Sequence, residues 1–121
     1  MILVEAISNP PLRVADMEGI VALAQDAGVT LAVDNTFATP LNQQPLRRGA
    51  DVSMHSATKF IGGHSDLLAG IVSVRDPELL VALRRSRTLG GATRLNNSAA
   101  RQSCRNVSFA YGRASGAERR H

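Results

Sequence analysis

Thr30-Leu31-Ala32-Val33 shows no polar alternation before it meets Asp34, the pattern of a strand buried on both faces of a parallel sheet. A parallel neighbour requires a crossover, and the residues upstream supply one. Asp16 is placed to cap a helix whose apolar residues Met17, Ile20, Val21 and Ala24 follow the i, i+3, i+4, i+7 spacing. Gly28 is placed to end it in a left-handed conformation, so a helix is predicted from about Asp16 to Ala27. Before it, Ile2-Leu3-Val4-Glu5 is a short apolar run halted by Ser8-Asn9-Pro10-Pro11, whose prolines remove ladder donors and force a turn. It reads as a buried strand, and strand, helix and strand make a βαβ unit.

A loop with Pro40 and Pro45 leads to Gly49-Ala50-Asp51 and a third short strand, Val52 to His55. Ser56 to Asp66 is rich in small and polar residues and reads as a functional loop. Leu67 to Val74 is a fourth apolar stretch. Asp76-Pro77-Glu78 then opens a second helix with its cap, its N1 proline and a first-turn acid. That helix should run through Leu79, Leu80, Leu83 and Arg84 and end near Gly90-Gly91. The predicted class is α/β, with a largely parallel sheet and flanking helices.

A length of 121 residues suits one small domain or a piece of a larger one. The formal net charge of +4 invites a nucleic-acid reading, but the basicity is unevenly placed. Residues 1–91 hold 8 Lys+Arg against 9 Asp+Glu, whereas residues 92–121 hold 6 Arg and 1 Glu. A basic arm would therefore rest on the tail alone, which lacks Lys/Arg runs and a recognisable fold, and aromatics at 3% argue against stacking platforms. Nucleic acid is not an expected partner. No uninterrupted run of about 18 apolar residues occurs, so no membrane span is expected, and Met1 to Glu5 lacks the basic flank of a signal peptide. A cytoplasmic protein is the default. The single Cys104 excludes an internal disulfide and a Cys-cluster metal site, and without a surrounding motif it reads as a bystander thiol.

In open parallel sheets, ligands bind beyond the carboxyl ends of the strands. Three predicted strands end in polar residues: the first near Glu5 and Asn9, the second at Asp34, the third at His55-Ser56 followed by Thr58-Lys59. Those residues should converge. A buried acid beside a lysine and two hydroxyls suits a cofactor that carries a phosphate, a basic ring nitrogen and an aldehyde, and pyridoxal 5'-phosphate has all three. His55 and His64 flank the lysine, but two histidines without a second ligand pair read as hydrogen-bonded structural residues, and no metal is expected. Glu5 reads as no more than an orienting group.

The stretch Asp51-Val52-Ser53-Met54-His55-Ser56-Ala57-Thr58-Lys59-Phe60-Ile61-Gly62-Gly63-His64-Ser65, continued by Asp66, resembles the lysine signature of the Cys/Met-metabolism, γ-family pyridoxal-phosphate enzymes. Ser8-Asn9-Pro10, Val33-Asp34-Asn35-Thr36-Phe37-Ala38-Thr39-Pro40 and Gln44-Pro45-Leu46 match in order and spacing, and the resemblance covers about Ile2 to Gly91. It implies the large cofactor-binding domain of an aspartate-aminotransferase-like, fold type I enzyme. By the same resemblance, Lys59 is the lysine joined to pyridoxal 5'-phosphate as a Schiff base, and afterwards the group that moves protons between substrate carbons and cofactor. Asp34 is similarly the aspartate paired with the pyridine nitrogen, where a carboxylate sustains the ring as an electron sink; by local sequence alone it could equally be a cap or turn residue. Ser56 and Thr58 resemble the hydroxyls that bind the cofactor phosphate. Asn9 resembles a contact to the ring's substituents, although Ser-Asn-Pro is also a plain turn.

The resemblance further implies β- or γ-elimination or replacement on small sulfur amino acids in cystathionine and methionine metabolism. For the intact family enzyme it implies a homo-oligomer of the tetramer-of-dimers type. Family members are about three times longer. Their phosphate-loop glycine, ring-stacking aromatic and partner-subunit Tyr and Arg would lie upstream, and their carboxylate-binding arginine downstream. Residues 1–91 are thus expected to be a piece of the large domain, aggregation-prone and weakly active or inactive alone. Residues 92–121 form a basic, aperiodic, poorly ordered tail of the kind a shifted reading frame in a GC-rich gene produces, or a genuine divergent one. Within this segment nothing separates the family's reactions. The competing class is a non-catalytic cofactor-binding pseudoenzyme or interaction protein.

Overall fold

The structure is a computed structural model that describes residues 1–64, 66 and 68–89. The predicted tail at 92–121 and Cys104 lie outside the described residues. Asp16 starts the first helix as its sequence position suggests, its carboxylate accepting from the Gly19 N–H at 3.1 Å. The helix, α1, spans Met17–Asp26 and buries Met17, Val21 and Ala24. Gly28 at φ 61° turns the chain, with Gly28 N–H donating to Gln25 O and Val29 N–H to Ala24 O. This crossed pair satisfies the last carbonyls of the helix and aims the chain into the next strand.

Four strands form one sheet among the described residues: β1 (Ile2–Glu5), β2 (Leu31–Asp34), β3 (Val52–Ser56) and β4 (Gly70–Val74), in that spatial order. β1 and β2 are parallel, β2 and β3 are parallel, and β4 returns antiparallel to β3. On one face Ile2, Val4, Leu31 and Val33 pack with Met17 and Val21 of α1, burying the centre of the core. The register pairs Glu5 with Asp34 and Asp34 with Met54, so both acids project from the other face at the carboxyl ends of their strands.

β1 departs from the expected buried strand. It lies at the sheet edge with β2 on one side only, and its residues alternate between half-buried and exposed, Leu3 being 60% exposed. A run of four apolar residues cannot by itself distinguish an edge from a centre. Between β2 and β3, where a loop was expected, two single-turn helices form: α2 (Thr39–Asn42) and α3 (Pro45–Arg48). Each has proline in its first turn, where the missing N–H costs nothing. Each is too short to show a helical period. Gly49 ends α3 at φ 114°, close against Val21 of α1.

The expected functional loop after the third strand is partly helical. Ser56 belongs to β3, and Ala57–Ile61 form one wide turn closed by Gly62 N–H donating to Ala57 O at 2.7 Å. Lys59 interrupts it with φ −92° and ψ −121°. Wide turns of this kind are frequent at functional sites. The last helix, α4 (Pro77–Leu89), starts where predicted, with Asp76 Oδ1 accepting from the Glu78 N–H at 2.8 Å. Among the described residues no helix is long and apolar enough to cross a membrane.

Candidate active site

β2 ends in Asp34 because the apolar run that fills the core stops there, and the chain turns at once on the acid's own side chain. Asp34 Oδ1 accepts from the Thr36 N–H at 3.0 Å and from the Thr36 hydroxyl at 2.6 Å. Thr36 Oγ1 in turn accepts from the Ser56 N–H at 2.8 Å, joining the ends of β2 and β3. Asn35 N–H donates to Met54 O at 2.8 Å and extends that junction through the backbone.

These strand ends border a cleft of about 160 Å³ lined by Glu5, Ile7, Asn9, Asp34, Thr36, Phe37, Ser56 and Lys59. Four of the five predicted site residues, Lys59, Asp34, Ser56 and Asn9, are therefore brought together. Thr58 is placed differently. Its hydroxyl accepts from the Ala69 N–H at 3.0 Å and lies 3.4 Å from Ala69 O, tying the wide turn to the residue before β4. Glu5 fits its reading as an orienting group, because its Oε2 accepts from the Asn9 N–H at 3.1 Å and holds the turn after β1 over the cleft. Phe37 and Phe60 meet edge to face with centroids 5.8 Å apart, pinning the residue next to Lys59 against the segment after β2.

His55 and His64 each make a hydrogen bond within the fold. His55 is buried, and its Nε2 lies 3.1 Å from Asn35 Nδ2. An amide nitrogen can only donate, so Nε2 accepts and the ring is neutral in this contact. Burial lowers the His55 pKa from its ordinary value of 6.5, while the charge of Asp34 works in the opposite direction. Asn35 is fully buried, and its Nδ2 also lies 2.9 Å from Gln43 O and 3.2 Å from Thr39 O, so two amide hydrogens are shared among three acceptors and fasten α2 beneath the site. His64 Nδ1–H donates to Gly62 O at 3.2 Å. No group of three or more His, Cys, Asp or Glu among the described residues is arranged to hold a metal ion.

A larger concavity, about 330 Å³, opens at the opposite ends of the strands, between Gln25, Thr30, Asp51 and Arg75. Its charged groups are committed to the fold. Asp51 Oδ2 accepts from the Leu31 N–H, and the Arg75 guanidinium donates to Leu46 O and Ala50 O. The chemistry-bearing residues thus lie in the smaller cleft.

Thr36, and Asn35 as the partner of His55, carry no role in the sequence reading. An Asp-x-Thr sequence is a signal for a side-chain-closed turn, but which backbone group the threonine then receives depends on the neighbouring strand.

Residues 1–105 match the family of Cys/Met metabolism PLP-dependent enzymes, a match that runs past Gly91. The cystathionine gamma-synthase/O-acetylhomoserine (thiol)-lyase of Bacillus subtilis (strain 168) is 51% identical over 78 residues, covering 64% of this chain and 21% of that protein. The cystathionine gamma-synthase of Escherichia coli (strain K12) is 48% identical over 83 residues, covering 69% of this chain and 22% of that protein. The solved structure of cystathionine gamma synthase from Xanthomonas oryzae pv. oryzae, in complex with aminoacrylate and cysteine, superposes with a TM-score of 0.73 at 44% identity. It covers 75% of this chain and 24% of that one. The chain spans about a fifth of the length of the curated relatives it matches.

Proposed function

Because the chain belongs to the Cys/Met-metabolism pyridoxal-phosphate-dependent enzymes, we propose that its cleft binds pyridoxal phosphate for elimination or replacement at the β or γ carbon of a sulfur amino acid. The observation that carries this reading is the convergence of Lys59, Asp34 and Ser56 on one cleft at the carboxyl ends of parallel strands. The donor set fits the cofactor: an amine for an aldehyde, a carboxylate for a ring nitrogen, and a hydroxyl for a phosphate. When bound, pyridoxal phosphate supplies an electron-withdrawing ring that stabilises negative charge at the substrate α carbon.

The chain's own residues divide the remaining work. Lys59 Nζ would hold the cofactor through its aldehyde and, when free, would carry a proton between substrate carbons. Asp34 would hold the ring nitrogen through Oδ2, since Oδ1 is already occupied by Thr36. Ser56 offers its hydroxyl to the phosphate, and Asn9, held by Glu5, borders the same cleft to contact the ring's substituents. Thr58 contributes by fixing the turn that carries Lys59, and its hydroxyl could serve the phosphate by redirecting its hydrogen from Ala69 O, 3.4 Å away, while still accepting from the Ala69 N–H.

We also read the intact enzyme as a cytoplasmic homo-oligomer; cystathionine-type substrates are what the names of its relatives suggest. A second reading, cofactor binding without turnover by these 121 residues, is favoured by the fifth of the relatives' length that they span.

Lys59 is the only lysine in the sequence, which makes the test stoichiometric. Incubation with pyridoxal phosphate, reduction with borohydride and peptide mapping should give about one pyridoxyl group per chain on Lys59. Labelling far below that level under saturating cofactor would reject a formed site. Turnover assays for cystathionine formation and cleavage on the labelled-competent chain then separate the two readings.

A further inference from the structure

We propose that Thr36 is a positioning residue that sets the orientation of the Asp34 carboxylate and locks it to the backbone of Ser56. This rests on the reading of Asp34 and Ser56 as cofactor contacts. The argument is one of hydrogen-bond direction. The Ser56 N–H can only donate, so at 2.8 Å it occupies an acceptor site of the Thr36 hydroxyl. The single hydroxyl hydrogen is then directed elsewhere, and Asp34 Oδ1 at 2.6 Å receives it. The Thr36 N–H adds a second bond to the same oxygen at 3.0 Å.

One carboxylate oxygen is thereby saturated from a single residue. Among the described residues Oδ2 accepts no hydrogen bond, and Asp34 borders the cleft. Thr36 is only 8% exposed, so water does not compete freely for its hydroxyl. A carboxylate left to itself rotates about its terminal torsion within a broad well. Here the rotation is arrested by a group that also fixes the strand bearing Ser56. The group proposed for the ring nitrogen and the group proposed for the phosphate are thus held in register through one hydroxyl.

The experiment is a double-mutant cycle on the full chain, read by absorbance titration with pyridoxal phosphate and by the pH profile of the bound cofactor's band. Thr36→Val removes the hydroxyl at nearly constant volume, and Thr36→Ser retains it. We expect Thr36→Val to weaken cofactor binding about tenfold and to displace the pH profile, with Thr36→Ser close to the parent. In an Asp34→Asn background Thr36→Val should add less than about twofold, because the group it acts through is gone.

Equal affinity and an unmoved pH profile in Thr36→Val would overturn the proposal, as would the same loss in both backgrounds. If Thr36→Val does not fold, Thr36→Ala provides a second hydroxyl deletion. Should both unfold while Thr36→Ser folds, the hydroxyl serves the fold and the proposal falls. Absence of cofactor binding by the parent chain, or an Asp34→Asn variant that behaves as the parent, would instead reject the underlying functional reading, taking this inference with it.

Discussion

Asp34 and His55 sit on opposite faces of adjacent strands yet answer to the same turn, because Thr36 holds the first and Asn35 the second. For Asp34 the consequence is a charged partner whose removal should be felt in binding. Asp34→Asn is expected to lower pyridoxal-phosphate affinity about 10- to 100-fold, the worth of a hydrogen bond to a charged group, measured by the same absorbance titration. Thermal unfolding of the variant should stay within a few degrees of the parent, since volume is conserved. For His55 the consequence is a pH dependence of stability. Its folded pKa lies below 6.5 because burial penalises the imidazolium. As pH falls through 6.5 the unfolded chain takes up a proton that the folded chain refuses, so the unfolded state gains and stability declines. Thermal midpoints measured from pH 7.5 down to 5 should fall, and His55→Gln should flatten that slope. A slope unchanged by His55→Gln would assign it to other groups. The meeting of Asp34, Ser56 and Lys59 at one cleft was legible in sequence because strand ends and motif spacing both mark them. Thr36 was not, because its partner, the Ser56 amide, is 20 residues away and reaches it only through parallel pairing.

Elements with a period or a cap were readable, and those without were not. α1 announces itself through Asp16, four spaced apolar residues and Gly28, and α4 through Asp76-Pro77-Glu78. α2 and α3 have four residues each, less than the span over which a 3.6-residue period repeats twice, so only their prolines were visible. The edge position of β1 and the antiparallel sense of β4 depend on which strands meet, a property of pairing and not of composition. The close approach of α3 to α1 makes a test at this scale. Gly49 has φ 114°, and a Cβ added there would meet Val21 Cγ1 at 2.6 Å. Gly49→Ala combines a left-handed backbone with a collision inside the core, and should destabilise by about 2 kcal/mol or more in urea unfolding. Gly28→Ala, at φ 61° with nothing within 4 Å, bears the conformational cost alone and should lose about 1 kcal/mol.

Among the described residues, α1 covers one face of β1 and β2 while the sheet edges carry exposed apolar side chains. Leu31, 1% exposed at the centre, and Leu3, at the edge, therefore differ sharply in what truncation removes. Leu31→Ala should cost about 2–5 kcal/mol, whereas Leu3→Ala should change unfolding free energy by less than about 0.5 kcal/mol. Comparable losses at both positions would mean that the edge is covered in solution. The reversal from β3 to β4 has a mechanical consequence. Asp34 stands at the carboxyl end of a strand clamped on both sides, with Glu5 and Met54 as its ladder neighbours. Lys59 lies instead on a span anchored at two abutments: Ser56 pairs with Gly70 across the ladder, and Ala57 N–H donates to Ala69 O at 2.8 Å. Such a beam does not swing when one support loosens. Lys59 keeps its address until both strands part, so loosening β3 alone or β4 alone leaves the amine in place.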